Sequence, residues 1–495
     1  MSYSQNKLQS DKILGYGLTF DDVLIRPRHS KIVPREARLE TQITKGIRLN
    51  IPLLSAAMDT VTESKLAIAL AREGGLGVIH KNLTIEDQAA QVAKVKRSEG
   101  FTIKDPITLP PDVPLSEAIA VMNKYNISGI PVVANSQLVG MLTHRDIRFV
   151  DKVDLPISNF MTADNLVTVP TGTTLEEAWE LFRKFRVEKL PVISSNNELT
   201  GLITAKDIRK TSLYPNAIKD LKGRLIAGAA VGVTADTMDR VAALIEAEVD
   251  LIVVDTAHGH SVGVINTVEQ IKKSFPDIQV IGGNVATGEG TEDLINAGVD
   301  GVKVGIGAGA ICTTRVIAGI GVPQVSAIID CYETAAKHGV PIIGDGGIRY
   351  SGDISKSIAA GASAVMIGSL FAGTEEAPGE RILLEGRTYK VYYGMGSMAA
   401  MKRGSSDRYF QEGTSQDKLV PEGIEGRVPF RGNLADTIHQ LTGGIRASMG
   451  YCGCIDIPTF QKETVFIKVT AAGVREGHPH DVVISQEAPN YQVSN

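Results

Sequence analysis

Short apolar runs alternate with amphipathic stretches along both ends of the chain. The amphipathic stretches include Glu63–Glu73, Ala235–Ala247 and Ser351–Ala360, whose apolar residues recur with helical spacing. Most apolar runs are continuous, which is typical of parallel strands buried on both faces. Eight such runs are present: Ile51–Met58, Gly75–His80, Leu225–Gly232, Asp250–His258, Gln279–Val285, Gly301–Gly307, Pro341–Gly347 and Ala364–Ser369. Eight strand–helix units predict an α/β fold, a (β/α)8 TIM barrel, rather than an open sheet.

A long insertion separates the second predicted strand from the third, and it contains an internal repeat. The prolines at 131 and 191 are 60 residues apart, and the aspartates at 146 and 207 are 61 apart. Each copy has an amphipathic helix, Leu115–Tyr125 in the first and Leu175–Phe185 in the second. We therefore expect barrel segments at 1–95 and 213–495, with an inserted module at 96–212 that divides into 96–153 and 154–212.

Composition narrows the possible functions. The chain of 495 residues is 43% hydrophobic and 22% charged, which is typical of a globular protein. Its net charge of −5 gives no basic surface for nucleic acid. No apolar run is long enough for a membrane span, and the N-terminal residues lack the apolar core of a signal peptide. Four cysteines in so long a chain do not make a disulfide framework, so we expect a cytoplasmic protein.

One glycine-rich segment carries a cysteine at a place that packing explains poorly. The segment Lys303–Arg315 follows an apolar strand and has three glycines before Cys312. Glycine lets backbone groups approach a ligand closely, and a thiolate is a strong nucleophile. A free cysteine is more often a small buried apolar residue. The glycines and the polar Thr313–Arg315 favour the nucleophile.

Two further glycine-rich turns follow the seventh and eighth predicted strands, where barrels often bind phosphate. Gly344–Gly347 and Ile367–Ser369 could donate backbone N–H groups, and Ser369 also a hydroxyl, to phosphate oxygens. The glycines could alternatively serve only to make tight turns. Asp345 would repel a phosphate, so it needs another role.

Four motifs together resemble the family of IMP dehydrogenase and its relative GMP reductase, over almost the whole chain. They are Leu18–Leu24, Ser55–Val61, Asp345–Ile348 and Ser405–Phe410. The insertion resembles a tandem pair of CBS motifs, a Bateman module that binds purine nucleotides. The resemblance implies NAD-dependent oxidation of IMP to XMP, a step of GMP biosynthesis. The nearest alternative is a GMP reductase, which consumes NADPH and releases ammonia. A non-catalytic nucleotide sensor is a third possibility.

The resemblance implies a covalent mechanism. Cys312 attacks C2 of IMP, hydride passes to NAD+, and the thioimidate that remains is hydrolysed. Thr314 helps to position the water, and Arg408 with Tyr409 activates it from a mobile flap at about 385–430. Only hydrolysis needs this flap, so its presence favours the dehydrogenase over the reductase. Without the resemblance, Arg408 would be interpreted as an exposed loop arginine.

The same resemblance assigns residues to the substrate IMP. Asp345 accepts hydrogen bonds from both ribose hydroxyls, and Tyr392 contacts the phosphate. Met58 packs on the base, and the Glu422 carboxylate accepts the purine N1–H. The phosphate loops contribute Gly346, Gly347, Gly368 and Ser369, and the backbone that holds the hypoxanthine edge belongs to Gly394, Met395 and Gly396.

The dinucleotide cannot bind to a Rossmann domain, because no Gly-x-Gly-x-x-Gly motif follows a first strand. The resemblance instead places NAD on the barrel loops. The positions that match nicotinamide riboside and carboxamide contacts are Asp255, Asn284, Gly305 and Gly307.

A monovalent cation between subunits is also implied. K+ would bind backbone carbonyls of the cysteine loop and of a neighbour's C-terminal segment. The matching positions are Gly307, Gly309, Cys312, Glu476, Gly477 and His478. The resemblance implies a homotetramer, which the inserted modules could join into an octamer.

The inserted module carries its own predicted nucleotide contacts. The family's ribose-binding positions match Thr143, Asp146, Thr204 and Asp207. Each Thr/Asp pair could instead only cap a helix. Which nucleotide would bind is not specified by these residues.

One position departs from the family pattern. The family's cysteine loop usually has serine immediately before Ile-Cys, where this chain has Ala310. The serine hydroxyl normally contacts the substrate phosphate, so we expect weaker binding of IMP with turnover retained.

Overall fold

The computed structural model describes residues 12–98, 102–103, 106–125, 127–150, 153–205, 214–411 and 413–491. The chain separates into two compact units. One is formed by Met1–Lys96, Asn216–Ile218 and Ile226–Asn495, and the other by Arg97–Pro215 and Lys219–Leu225. The second unit therefore corresponds in position to the inserted module expected at 96–212.

The first unit contains a closed barrel of eight parallel strands. In chain order they are Leu53–Ser55, Leu76–Ile79, Gly228–Val231, Leu251–Asp255, Gln279–Val285, Gly301–Val304, Ile342–Asp345 and Ala364–Ile367. Each strand pairs with its neighbours in chain order, and the eighth closes the barrel on the first. The predicted (β/α)8 barrel is confirmed.

Each barrel strand lies within the apolar run that predicted it, but most are shorter than the run. Gly228–Val231 and Leu251–Asp255 are buried at every position, as expected for strands covered on both faces. The residues just beyond the carboxyl ends of the strands, such as Met58 and Gly347, lie in loops that line cavities. Pattern alone overestimates the strands because these loop residues are also apolar or small.

Helices cover the outside of the barrel with their apolar faces inward, as Leu66 and Leu70 do in the first of them. The principal helices are Ser64–Arg72, Ile85–Arg97, Thr237–Glu246, Val262–Ser274, Gly288–Asn296, Gln324–Ala335, Ser351–Ala359 and Leu434–Cys452. Shorter α-helices are Thr314–Ile317, Ser369–Ala372, Met398–Lys402, Ile457–Glu463 and Ala471–Glu476. Within the described residues, no helix is both long and apolar enough to span a membrane.

A three-stranded antiparallel sheet frames the predicted flap. Its strands are Arg381–Leu384, Arg387–Tyr393 and Glu425–Pro429. Because Tyr393 pairs with Glu425, residues 394–424 form one long connection between two paired strands. A short 3-10 helix, Ser405–Tyr409, lies in this connection and contains the predicted catalytic pair, Arg408 and Tyr409.

Small elements complete the first unit. Two-stranded sheets pair Val23–Ile25 with Phe466–Lys468 and Thr41–Gln42 with Arg48–Leu49. Additional 3-10 helices are Phe20–Asp22, Pro34–Glu36 and Ala336–His338.

The second unit has the same arrangement twice, with its two amphipathic helices at the ranges that the repeat predicts, Leu115–Tyr125 and Leu175–Phe185. The first copy pairs Gly129–Ala134 with Gln137–Thr143, and the second pairs Lys189–Ile193 with Leu199–Thr204. Each copy has its own apolar core. Among the described residues of this unit, the remaining elements are Thr102–Ile103, His144–Ile147, Ile157–Asn159 and Val169–Pro170.

Two adjacent glycines in the long helix Leu434–Cys452 test how closely the barrel's outer helices pack. A methyl group on Gly444 would overlap Ser351 of a neighbouring helix, whereas one on Gly443 would meet open space. Gly444→Ala should therefore lower the free energy of unfolding by about 1–2 kcal/mol through overpacking. Gly443→Ala should raise it by up to about 1 kcal/mol, because alanine favours the helix. Urea denaturation measures both, and equal shifts in the two variants would contradict this packing.

Candidate active site

Four neighbouring barrel strands bring polar side chains together at one rim. Asp255 ends the fourth strand, and Asn284 lies near the end of the fifth. Lys303 lies in the sixth strand, and Asp345 ends the seventh. Parallel barrel strands have their carboxyl ends at the same rim, where active sites of such barrels are found.

Lys303 is at the centre of this polar group, and its side chain is only 1% exposed. Its ammonium lies 2.9 Å from Asp255 Oδ1 and 2.6 Å from Asp345 Oδ2, and it also donates to Asn284 Oδ1. Asn284 Nδ2 donates to Asp345 Oδ2 at 2.9 Å and to the Gly305 carbonyl at 2.7 Å. One buried cation thus pairs with two carboxylates, which would otherwise be costly to bury.

Arg408 reaches this network from the flap. Its Nη1 donates to Asp255 Oδ2, and its backbone carbonyl accepts a hydrogen bond from the Ala257 N–H at 3.1 Å. Burial alone would raise the pKa of Asp255, but Arg408 and Lys303 hold it below its usual value. Burial alone would lower the pKa of Arg408, but the Asp255 carboxylate raises it, so the guanidinium remains protonated.

The partly exposed thiol of Cys312 lies beside a hydroxyl. Cys312 Sγ is 3.2 Å from Thr314 Oγ1, a distance at which the thiol can donate to the hydroxyl oxygen. Backbone hydrogen bonds fix this loop: the Thr313 N–H donates to the Glu422 carbonyl at 2.9 Å, and the Ile424 N–H donates to the Ile311 carbonyl at 3.0 Å. The loop that carries Cys312 is therefore joined directly to the end of the predicted flap.

The turn that was predicted to hold the purine base is joined to the same place. The Glu422 N–H donates to the Gly396 carbonyl at 2.9 Å, and the Gly394 N–H donates to the Ile424 carbonyl at 3.1 Å. The Tyr409 ring packs against Gly396, where a methyl group would come within 2.7 Å of the ring carbon Cζ. Tyr409 can occupy this position only because the turn has no side chain there.

A cavity of about 130 Å³ adjoins Cys312. Pockets for drug-sized ligands usually have volumes of about 300–1,000 Å³, so with Arg408 and Tyr409 in place the space is too small for a dinucleotide. The predicted site residues that line it are Met58, Asp255, Asn284, Gly305, Gly307, Gly309, Cys312, Thr314, Asp345, Gly346, Tyr392, Gly394, Met395, Gly396, Arg408, Tyr409 and Glu422.

A second cavity, of about 310 Å³, lies against the two glycine-rich turns. It is lined by Gly346, Gly347, Gly368, Ser369 and Tyr392 from the predicted set, and by Ala310. The residues Met58, Gly309 and Asp345 line both cavities, so the two spaces adjoin. Ala310 presents a methyl group here, where the family pattern has a hydroxyl.

The two tyrosines of the site are protonated at neutral pH. Burial raises the pKa of Tyr409 to about 12 and raises that of Tyr392 further. Both phenols can therefore donate a hydrogen bond to a phosphate, a water or a developing oxyanion.

The predicted cation ligands are not brought together within one chain. Gly307, Gly309 and Cys312 line the cavity with the thiol, whereas Glu476, Gly477 and His478 line neither cavity. His478 lies against other rings instead, with its Nδ1 3.0 Å from the Tyr491 hydroxyl. No cluster of three or more His, Cys, Asp or Glu side chains suited to a metal ion occurs in the part of the chain that the structure describes.

In the second unit, Thr143 and Asp146 form a helix cap. The Thr143 N–H and hydroxyl both donate to Asp146 Oδ2 at 2.7 Å, before the helix His144–Ile147. Both residues line a cavity of about 700 Å³ within this unit. Thr204 ends the strand Leu199–Thr204, and Asp207 lies outside the described residues.

Sequence analysis assigned no role to Lys303 or to Gln324. A lysine in the middle of an otherwise apolar strand is a signal that could have identified Lys303, since buried lysines are rare unless paired. Gln324 Nε2 donates to the carbonyls of Val304 and Asp345 at 2.9 and 3.1 Å, and its position at the start of a helix gives no comparable signal.

Comparison with known proteins gives a consistent family. The model of the IMP dehydrogenase / GMP reductase domain matches residues 17–480. Inosine-5'-monophosphate dehydrogenase from Halalkalibacterium halodurans is 58% identical over 488 residues, which cover 98% of this chain and 99% of the relative. The enzymes of that name from Aquifex aeolicus and Bacillus subtilis are 58% and 57% identical, covering 98% and 97% of this chain and 100% and 98% of the relatives.

One solved structure is similar throughout. It is a cysteine-to-alanine variant of GMP reductase from Trypanosoma brucei in complex with guanosine 5'-monophosphate. The TM-score is 0.86 with 40% sequence identity, over 95% of this chain and 99% of the other. A reductase can thus share nearly the whole length of this chain, so its insertion does not separate the two activities.

Lys303→Met tests the buried network. Removing the ammonium leaves Asp255 and Asp345 short of a partner and should lower the free energy of unfolding by about 3 kcal/mol at neutral pH. The depressed pKa of Asp255 gives stability that is present at neutral pH and lost as pH falls through the folded-state value. In Lys303→Met the pKa of Asp255 rises. The difference in free energy of unfolding between the parent and the variant should therefore narrow as pH falls toward about 4.

Thermal unfolding between neutral and acid pH measures this gap. Lys390→Met is the matched control, because Lys390 is also buried but donates to the Thr374 and Ala377 carbonyls rather than to a carboxylate. Its effect should be the same at pH 7 and at about pH 4. A Lys303→Met gap that is equally flat would mean that the carboxylates do not depend on Lys303.

Proposed function

The chain belongs to the IMP dehydrogenase / GMP reductase family, and from that membership we propose that it oxidises IMP to XMP with NAD+. The observation that carries this proposal is the 57–58% identity, over nearly the full length, to three enzymes named inosine-5'-monophosphate dehydrogenase. The similar reductase structure is only 40% identical. The reaction is an NAD-dependent oxidation in purine nucleotide synthesis, at the step that leads to guanine nucleotides.

IMP occupies the two adjoining cavities in this proposal. Its phosphate lies against the turns at Gly346–Gly347 and Gly368–Ser369, with the Tyr392 phenol as a further donor. Asp345 accepts from the ribose hydroxyls, and its free lone pairs can do so because Lys303 and Asn284 occupy the other side of the carboxylate. Met58 lines both cavities and can pack on the base, which then lies near Cys312.

The proposed covalent steps use Cys312 as the nucleophile. Its thiolate attacks C2 of IMP, and the hydride leaves C2 so that a thioimidate remains on the sulfur. NAD+ supplies the oxidising power by accepting that hydride. Water then adds to C2, and the sulfur departs to give XMP and regenerate the thiol. The 3.2 Å distance between Cys312 Sγ and Thr314 Oγ1 supports a role for this hydroxyl in orienting the water.

The flap explains how one site performs both steps. Asp255, which is proposed to contact the nicotinamide riboside, is paired with Arg408 in this structure. The cavity beside this carboxylate has a volume of only about 130 Å³, which is too small for the nicotinamide half with Arg408 in place. Hydride transfer therefore belongs to an arrangement with the flap withdrawn, and hydrolysis to the arrangement seen here.

Arg408 is a cation in the closed arrangement, because Asp255 raises its pKa. A protonated guanidinium can hold water and stabilise hydroxide, but it cannot accept a proton. A role for Arg408 as the base therefore requires that its contact with Asp255 be loosened first. Tyr409, with a pKa of about 12, contributes as a neutral donor.

K+ and a tetramer are part of the proposal. Carbonyls of Gly307, Gly309 and Cys312 suit a hard cation, and the C-terminal set of Glu476, Gly477 and His478 lines neither cavity of its own chain. A second subunit would complete the site. Exposed apolar side chains beside the cysteine loop, including Val316 and Ile320, support such a contact.

The inserted module is proposed to bind purine nucleotides. The supporting observation is its cavity of about 700 Å³, which Thr143, Asp146 and Lys189 line. Thr204 and Asp207 remain the predicted contacts of the second copy. The reaction needs a free thiol, and all four cysteines are unpaired, which supports a reducing cytoplasm as its place.

The decisive assay is the appearance of NADH, by its near-ultraviolet absorbance, from purified protein with IMP, NAD+ and K+. We expect NADH and XMP, and a lower rate when K+ is omitted. Cys312→Ala should lower kcat by at least about 1,000-fold while IMP still binds, because only the nucleophile is lost. Consumption of NADPH with GMP, together with no NADH from IMP, would instead identify a reductase.

Ala310→Ser tests the departure in the cysteine loop. A hydroxyl that donates to the phosphate adds a hydrogen bond to a charged group, worth about 1.5 kcal/mol, so KM for IMP should fall about ten-fold. The value of kcat should stay within about two-fold, since the nucleophile and flap are unchanged. Ala318→Ser, an exposed position past the short helix, should change neither constant. An unchanged KM in Ala310→Ser would remove the phosphate role of this position.

A further inference from the structure

A buried ion pair joins the flap to the barrel rim at a point separate from Arg408. Lys81 lies just past the end of the second strand, Leu76–Ile79, and Asp407 immediately precedes Arg408. The Lys81 ammonium contacts both oxygens of the Asp407 carboxylate, with 2.5 Å to Oδ2. The two side chains are only 8% and 6% exposed.

The rim has a place shaped for this carboxylate. Gly232, just past the third barrel strand, lies directly against it. A methyl group on Gly232 would overlap Asp407 Oδ2 and come within 3.1 Å of Lys81 Nζ. The ion pair therefore depends on a lysine just past the second strand and on a glycine just past the third.

Asp407 also fixes the backbone of the catalytic arginine. Asp407 Oδ1 accepts a hydrogen bond from the Arg408 N–H at 2.8 Å. The Arg408 carbonyl in turn accepts from the Ala257 N–H at 3.1 Å. The carboxylate that Lys81 holds thus sets the position from which the guanidinium reaches Asp255.

We propose that Lys81 and Asp407 are positioning residues that form a latch, which holds the flap closed over the site during hydrolysis. A salt bridge this buried gains more from its Coulomb attraction than an exposed one, and removing one partner leaves a charge without compensation. The latch contributes nothing when the flap is withdrawn, so it favours the closed arrangement selectively. Its catalytic consequence rests on the proposed function, whereas its effect on the flap does not.

The latch predicts which chemical step should slow when Lys81 or Asp407 is replaced. Hydride transfer takes place with the flap withdrawn, so formation of the thioimidate should be unaffected. Hydrolysis needs Arg408 and Tyr409 in place, so it should slow as the closed fraction falls. NAD+ should bind better to the covalent intermediate, because it competes with the flap for the space at Asp255.

Three variants break the latch in different ways. Lys81→Met removes the ammonium and keeps the stem, and Asp407→Asn removes the charge and keeps the shape. Gly232→Ala keeps both charges and blocks the seat of the carboxylate. Lys272→Met is the matched control, because Lys272 pairs with Asp300 at 3.0 Å with side chains 19% and 11% exposed, away from the flap.

The first readout is hydrogen exchange of the flap in the resting protein. The Phe410 and Gln411 N–H groups donate to carbonyls of Asp407 and Ser406, both at 3.0 Å, so their exchange reports opening of the short helix. All three latch variants should exchange about ten-fold faster in residues 404–411, equivalent to about 1.4 kcal/mol. Lys272→Met should exchange like the parent there. Parent-like exchange in Asp407→Asn and Gly232→Ala would overturn the latch, whatever reaction the protein catalyses.

The second readout separates the two chemical steps. A stopped-flow burst of NADH should keep its rate in the latch variants, while steady-state kcat falls about ten-fold. Intact mass after acid quench should show a larger fraction of covalent adduct, and inhibition by excess NAD+ should set in at lower concentration. A burst that slows as much as kcat would mean that the pair acts on hydride transfer instead.

A double variant tests whether the two residues act together. Lys81→Met with Asp407→Asn should change exchange and kcat no more than either single variant, because each removes the same interaction. Additive losses would mean that the residues act separately and would overturn the latch. If the parent forms no NADH from IMP, the proposed function fails, but flap exchange still decides the latch.

Discussion

The site depends on one buried cation, the ammonium of Lys303. It pairs with Asp255 and Asp345 and donates to Asn284, so side chains from three other barrel strands converge on it. Burial alone would raise the pKa of Asp255, and the positive charges of Arg408 and Lys303 hold it below its usual value. In the proposed function Asp345 accepts from the substrate ribose, so the same ammonium takes part in substrate binding as well as in the contact between Asp255 and the flap.

Asp255 is the rim carboxylate that binds Arg408 of the flap. In the proposed function, a ribose hydroxyl and the Arg408 guanidinium compete for the space beside this carboxylate, because the cavity there has a volume of only about 130 Å³ with Arg408 in place. The closed arrangement fills the space with Arg408 and Tyr409 and keeps Arg408 protonated. In the proposed function, exchange of Arg408 for the dinucleotide beside Asp255 orders hydride transfer and hydrolysis in one site.

The barrel and its loops make different demands on the sequence. The strands mostly need buried apolar residues, as in Gly228–Val231, which is buried at every position, and in Leu251–Asp255, where only the last residue is charged. The loops need particular residues at particular places: Gly396 gives room for the Tyr409 ring, and Gly232 gives room for Asp407. Ala310, which departs from the family pattern, lines a cavity rather than the barrel core, so its predicted effect is on ligand binding.

The sequence by itself determined the eight strands, the covering helices and the repeated insertion, because the spacing of apolar residues within a short segment predicts its secondary structure. It also identified Cys312 and the glycine-rich turns by composition, and Arg408 and Tyr409 by resemblance. Only the tertiary structure decided that Lys303 joins Asp255 to Asp345, and that Lys81 meets Asp407 across 326 residues. Pairings between strand ends and a distant loop have no local pattern, since their partners become neighbours only when the barrel closes.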